Sequence, residues 1–343
     1  MSSAWRRERT QRLALAACGA FPDRFRRILG RLGRERGGRR LEPDVELLVR
    51  VLERFGWPDF ANLSPAAARA EIEREALLMA PPPTPDVAVE ALQLPGAAGL
   101  LPARLYLPAG GARTVLLYFH GGGWVFGSPA THDGLCRLIA LHGQVRVLSA
   151  SYRLAPEHRF PAAVEDVRAA LRWTLANLAA EGDRVGVGGD SAGANLATVL
   201  AGEASDALAF QLLFYPVTDL SREHPSYTTF ADGPVLTARQ MRWFRSHYLA
   251  RETDARDPRA SPLLAPSLSG MPPANLALAG FDPLYDEGVA YGDRLRQAGV
   301  ELSLADHRGH VHAFAELTRA SRSARAAVLQ ACAWVREQSR HQG

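Results

Sequence analysis

No lysine occurs anywhere in the 343 residues; all 40 basic side chains are arginine. A guanidinium does not deprotonate in proteins, so a Ser-Lys dyad, Schiff-base chemistry and a phosphate-loop lysine are excluded together. Cysteine is scarce as well. Cys18, Cys136 and Cys332 are odd in number and lack metal-ligand spacing, which argues against a disulfide framework or a zinc site and fits a reducing, cytoplasmic setting. Long apolar runs are missing too: the longest, such as Val115 to Phe119 and Val145 to Ala150, are of strand length, far short of the ~20 residues of a membrane span. No repeat period is visible.

The formal net charge of +4 invites a nucleic-acid reading until it is divided along the chain. Residues 1–40 carry twelve arginines against Glu8, Asp23 and Glu35, a net +9, and the remainder carries 28 arginines against 33 acids, a net −5. The basicity belongs to an N-terminal extension, and no nucleic-acid partner is expected. That extension scatters Leu13, Leu15, Phe21, Phe25, Ile28, Leu29 and Leu32 among its arginines, broken by Gly19 and Pro22. It reads as an amphipathic helix in weak contact with an anionic lipid surface, as a solvated or disordered arm, or as sequence added by a wrongly chosen start codon. Leu15-Ala16-Ala17-Cys18 also resembles a lipoprotein cleavage site. Its apolar core, Leu13 to Ala17, is shorter than the roughly seven residues a signal needs, so export is not expected.

From Leu41 onward, Val45, Leu48, Val51, Leu52 and Phe55 share one helical face. Ser64-Pro65 opens a second helix running to about Met79, and the proline-rich stretch Ala80 to Pro85 ends it. Residues 41–85 read as the N-terminal part of a helical cap. A larger domain begins over residues 86–216. Val87 to Leu94 and Leu101 to Leu107 are an expected antiparallel edge pair. Strands at Thr114 to Phe119, Val145 to Ser151, Arg184 to Gly188 and Phe210 to Tyr215 then alternate with helices near Thr131 to His142, at Ala162 to Glu181 and after Ser191. Residues 217–265 interrupt this with a polar loop and an aromatic-rich helix (Met241, Trp243, Phe244, His247, Tyr248), read as a cap insertion. Alternation resumes over 266–343 with strands Asn275 to Gly280 and Glu301 to Ala305 and helices Glu287 to Ala298 and Ala324 to Gln338. Buried strands alternating with helices mean an α/β fold with a mostly parallel sheet, helices on both faces, and chemistry at the carboxyl ends of the strands.

The stretch Arg184 to Asn195, Arg-Val-Gly-Val-Gly-Gly-Asp-Ser-Ala-Gly-Ala-Asn, turns a β-branched run into a helix-forming one within a few residues. Gly189-Asp190-Ser191-Ala192-Gly193 has the Gly-x-Ser-x-Gly form of a nucleophile corner, where glycines admit a tight strand-to-helix turn and the serine hydroxyl is pushed out of the sheet. A dinucleotide-binding loop would need a third glycine where Ser191 stands. A serine needs a base, and the base an orienting acid, which in this kind of sheet follow in that chain the order serine, acid, histidine. Asp282 follows a strand directly and is favoured over Asp286, a turn further into the next helix, although Asp282-Pro283 also suits a helix cap. His310 and His312 are both candidates, and position alone does not separate them. His120-Gly121-Gly122-Gly123-Trp124 closes the strand Thr114 to Phe119; its glycines allow backbone N–H groups to approach an oxyanion, with the N–H of Ala192 as a further donor.

Together these residues resemble the hormone-sensitive-lipase-like esterase branch of the α/β-hydrolase superfamily, over most of residues 41–339. His120 to Trp124 resembles its signature, Gly189 to Gly193 its nucleophile corner, Ser151-Tyr152-Arg153-Leu154-Ala155-Pro156-Glu157-His158 its next strand and turn, and Asp282-Pro283-Leu284-Tyr285-Asp286 its acid motif. The resemblance implies an α/β-hydrolase fold with a helical cap, Ser191 as nucleophile, Asp282 as acid and His312 as base, since the family places the base three residues after a glycine (Gly309) and two before a phenylalanine (Phe314). It also implies Gly122, Gly123 and Ala192 as oxyanion donors, with His120 shaping their loop. Ala313 departs from the pattern, which more often has glycine there, and residues 1–40 have no counterpart in it.

A carboxylic-ester hydrolase with no cofactor and no metal is therefore expected, acting on a small acyl ester through an acyl-enzyme. Leu77, Leu78, Trp243, Phe244 and Tyr248 are expected among the residues lining the lid and limiting the acyl chain to short or medium length. An amide, formamide or thioester hydrolase would use the same machinery. A non-catalytic binding protein on the same fold is the third reading, opposed by the presence of Ser191, Asp282 and His312 together.

Overall fold

The computed structural model describes Cys18 and residues 33–55, 59–79 and 84–340. Apart from Cys18 and the segment from residue 33, the basic extension and its lipid-surface reading lie outside the described residues. Cys18 itself is buried, 2% exposed, against the core.

A short hairpin, β1 (Glu35–Arg36) and β2 (Arg39–Arg40), precedes helices α1 (Pro43–Phe55) and α2 (Pro65–Met79). The eight-stranded sheet then runs through β3 (Val87–Pro95), β4 (Leu100–Pro108), β5 (Val115–Phe119), β6 (Arg146–Ala150), β7 (Val185–Asp190), β8 (Phe210–Phe214), β9 (Ala274–Phe281) and β10 (Leu302–Val311). Its spatial order is β10-β9-β8-β7-β5-β6-β4-β3. Strands β3 and β4 are the antiparallel edge pair expected from the sequence, β4 meets β6 antiparallel, and every other pairing is parallel.

The central strands are apolar on both faces, and their side chains divide by a period of two. Val115, Leu117 and Phe119 enter one core; Leu116 and Tyr118 enter the other. On the first face lie α4 (Ala162–Asn177), α5 (Ala192–Glu203) and α8 (Tyr285–Gln297), and on the second α3 (Asp133–Gly143) and α9 (Arg322–Arg340). Two helices, α6 (Pro225–Thr229) and α7 (Ala238–Tyr248), fall between β8 and β9.

The two helices of residues 41–85 go to different places. In α1, Val45, Leu48, Val49 and Leu52 pack into the second core with Ala324 and Val328 of α9, whereas α2 and the turn at Phe60 face the cavity above the strand ends. The end of the basic extension is docked as well. Arg34 pairs with Glu53 at 2.8 Å, the Arg39 guanidinium lies 3.6 Å over the Tyr285 ring, and the Glu42 amide donates to the Gly309 carbonyl at 2.9 Å. No helix among the described residues is long and apolar enough to cross a membrane.

Candidate active site

Strand β7, buried throughout, delivers the chain to Ser191, whose backbone sits at φ 52°, ψ −115° before α5 begins. A positive φ is strained for a residue with a side chain and persists only where its surroundings enforce it. Enforcement comes from packing: a Cβ at Gly193 would overlap the carbonyl oxygens of Phe119 and His120, so helix and strand approach as closely as glycine allows. Ser191 is 8% exposed, and that exposure opens into the cavity.

His312 follows the last residue of β10 directly, and Asp282 follows the last residue of β9. The structure brings both to Ser191. His312 Nδ1 lies 2.6 Å from Asp282 Oδ2, and His312 Nε2 lies 3.0 Å from Ser191 Oγ. With Nδ1–H donating to the carboxylate, Nε2 is left to accept from the serine hydroxyl. Asp282 is 1% exposed and serves twice, for its Oδ1 accepts the Leu284 amide at 2.9 Å while Oδ2 faces the imidazole. Asp286 points elsewhere and accepts the Ser226 amide at 2.7 Å. His310, two residues from His312, packs between His307 and Phe314 and makes no contact with Ser191; burial, with His307 adding to it, pushes its pKa down to about 4. The Tyr215 ring lies against His312, centroids 4.7 Å apart. Ala313, where glycine is the more usual residue, holds a left-handed φ of 60°, a conformation costing an L-residue roughly 1–2 kcal/mol.

The loop after β5 turns through Gly122 at φ 113° and Gly123 at φ 58°. A Cβ on Gly122 would strike the Phe126 backbone. Among the described residues, no acceptor meets the backbone N–H of Gly122, Gly123 or Ala192. His120 fixes the loop rather than facing the cavity: its Nδ1 bonds the Gly121 carbonyl at 2.8 Å, and its ring stacks on Tyr152 with centroids 4.4 Å apart. Burial, helped by His132, drives its pKa down to about 3, so it is a neutral group.

Beneath the loop lies a polar network that the sequence reading missed. Asp190, adjacent to the serine, accepts from Tyr118 Oη at 2.9 Å and from the Gly121 amide at 3.0 Å. His132 Nε2 lies 3.2 Å from Asp190 Oδ1 and 3.6 Å from Glu316 Oε1. Burial works against the charged imidazole of His132, but Glu316 and Asp190 outweigh it and raise its pKa to about 9. Burial likewise works against ionised Asp190, and His132 overcomes it and holds the pKa below the usual carboxylate range. His132, Asp190 and Glu316 offer ligand atoms within 4.8 Å of one another, the one such group among the described residues. Tyr118, the Gly121 amide and His132 all meet Asp190 in this cluster, which ties the glycine loop to the loop carrying His312. The sequence signal was Asp190 itself, an acid beside the serine at the end of a buried strand.

The cavity holds about 1130 Å³ of empty space, its open mouth included. Its apolar lining includes Phe60, Ile72, Phe126, Val235, Leu236 and Phe244. Of the lining residues expected from sequence, Phe244 is in place. Leu77 is 66% exposed on the outer side of α2, Trp243 packs against Phe60, and Tyr248 is fully buried, stacked on Trp124 with centroids 4.0 Å apart. The Leu78 side chain lies outside the described part. Helical phase explains the difference: on α2 the inward face follows Ala68 and Ile72, three or four residues at a time, and Leu77 falls off it.

A family model for the α/β-hydrolase fold matches residues 116–316. The chain is 42% identical over 294 residues to the carboxylic ester hydrolase LipN of Mycobacterium tuberculosis, covering 82% of this chain and 78% of that one. It is 43% identical over 226 residues to an ethyl acetate hydrolase of Pseudomonas putida, covering 62% and 71%. Among solved structures, the ester-hydrolase EH1AB1 from the metagenome of Lake Arreo superposes with a TM-score of 0.82 at 38% identity, over 87% of this chain and 98% of that one.

Proposed function

The chain belongs to the hormone-sensitive-lipase-like esterase branch of the α/β-hydrolase fold, and on that premise we propose that it hydrolyses carboxylic esters through an acyl-enzyme on Ser191. The observation that carries this reading is the 3.0 Å approach of His312 Nε2 to Ser191 Oγ, with Asp282 on the far side of the ring at 2.6 Å. His312 takes the hydroxyl proton as Ser191 attacks the ester carbon, then returns it to the departing alcohol. Asp282 holds the tautomer and stabilises the imidazolium between those steps. The tetrahedral oxyanion receives the unpaired N–H groups of Gly122, Gly123 and Ala192, each worth on the order of 3 kcal/mol in the transition state. A water activated by His312 completes the cycle by releasing the acid.

Phe60, Ile72, Phe126, Leu236 and Phe244 on the cavity wall support short- to medium-chain acyl groups. Three buried cysteines, odd in number, support a reducing, cytoplasmic setting. Residues 41–85 and 217–265 are proposed as the two parts of the cap, with α2, Phe60 and α7 as the portions that close over the site. The test is turnover of p-nitrophenyl esters from acetate to decanoate by wild type and Ser191→Ala. The expected loss in kcat is about a millionfold; turnover that survives the substitution overturns the reading.

A further inference from the structure

Helix α2 is reversed in polarity where it meets the cavity. Ala68 and Ile72 turn inward, and one turn further along that face the inward residue is Glu75, only 5% exposed, on the cavity wall beside Phe60, Ile72 and Ala76. Leu77, two residues later, is 66% exposed. Exposed Glu73 aside, the other charged side chains of the helix are engaged elsewhere: Arg69 pairs with Glu157 at 2.9 Å, and Arg74 with Glu71 at 3.0 Å. Glu75 is not. Among the described residues no hydrogen bond or ion pair reaches its carboxyl, and Glu71 and Arg74 act on it only through space.

Burying a carboxyl without a partner is costly, and a leucine would fill the same wall without that cost. Such a broken rule, in the wall of the cavity that Ser191 also lines, is where a functional compromise is expected. Burial, with Glu71 adding and Arg74 opposing, pushes the Glu75 pKa up to about 8. At neutral pH the group is therefore largely a protonated acid, offering one donor and one acceptor within an otherwise apolar surface. An alcohol hydroxyl has the matching pair.

We propose that Glu75 is a substrate-recognition group that binds a hydroxyl on the acyl chain, making hydroxylated acyl esters the preferred substrates of the Ser191 site. This rests on the reading of Ser191 as nucleophile. The group touches substrate away from the reacting bond, so its effect belongs in KM and in the ratio between substrates.

The test uses the full chain and follows acid release from ethyl hexanoate and from ethyl hexanoates hydroxylated at each carbon from the third to the sixth. Wild type is expected to favour at least one hydroxylated ester over ethyl hexanoate by about tenfold in kcat/KM, the worth of one well-placed hydrogen bond. Glu75→Leu should erase that preference, mainly by raising KM for the hydroxylated ester. Glu75→Gln, which keeps a donor and an acceptor, should retain most of it. Absence of any hydroxyl preference in wild type overturns the proposal without reference to a variant, as does a preference that Glu75→Leu leaves unchanged. If Ser191→Ala still hydrolyses these esters, the nucleophile reading fails, whereas Ser191-dependent turnover without hydroxyl preference removes the Glu75 assignment alone.

Discussion

His310 and His312 stand two residues apart at the end of one strand, yet they face different environments. His312 sits between Asp282 and Ser191, while His310 is wedged beside His307 and Phe314 with its pKa pushed down to about 4 by burial. His312→Ala should therefore approach the inactivity of Ser191→Ala, whereas His310→Asn should leave kcat within a few-fold, as measured on p-nitrophenyl butyrate. Position in the chain did not separate the two; the spacing from Gly309 and to Phe314 did, through resemblance to a family. The acid was more legible, because a single carboxylate follows the strand β9 directly. One of its oxygens accepts the Leu284 amide and the other faces the imidazole, while the cap position of the following helix falls to Leu284 and not to Asp282.

At the scale of elements, the buried strands β5 to β8 were readable because their apolar runs have strand length and are bounded by turn residues. Strand β10 was underestimated: it extends to Val311, but as an edge strand it is half exposed over most of its length, so charged residues such as Asp306 and Arg308 masked it. Contacts that join loops to one another leave still less trace in sequence. His132 links the glycine loop to the Glu316 loop, and its folded pKa, raised to about 9 from 6.5, has a consequence for stability. Its contribution is fully present below pH 6.5 and is lost as pH rises through about 9. Glu316, raised to about 7 from 4.5 chiefly by burial, loses stability in the same direction over a lower window. Urea midpoints measured from pH 6 to pH 10 should fall across the His132 window, by on the order of 3 kcal/mol in stability, and His132→Gln should flatten that slope. An unchanged slope in the variant would assign the fall to other groups.

Across the whole molecule, α7 and the loop after β5 are joined beside the cavity. Tyr248, the last residue of α7, stacks on Trp124 of the glycine loop with 4° between the rings, and both are fully buried. The aromatic-rich character of α7 was visible in sequence, but which of its rings would line the cavity and which would fasten the helix to the glycine loop was not, because phase within a short helix depends on what it packs against. Tyr248→Ala should cost about 3–5 kcal/mol of stability, seen as a lowered urea midpoint, and should reduce kcat by loosening the donors at Gly122 and Gly123. The uneven charge of the chain is partly absorbed in the same architecture: Arg34 and Arg39, counted with the basic extension, are bound to the core through Glu53 and Tyr285.

The most direct test is covalent labelling of the wild-type protein and His312→Ala with a p-nitrophenyl alkylphosphonate, the adduct being located by peptide mass spectrometry. A single phosphonyl group on the peptide containing Ser191, formed rapidly in wild type and scarcely at all without His312, is the predicted result. Labelling at another residue, or equal labelling rates in the two proteins, would contradict the account.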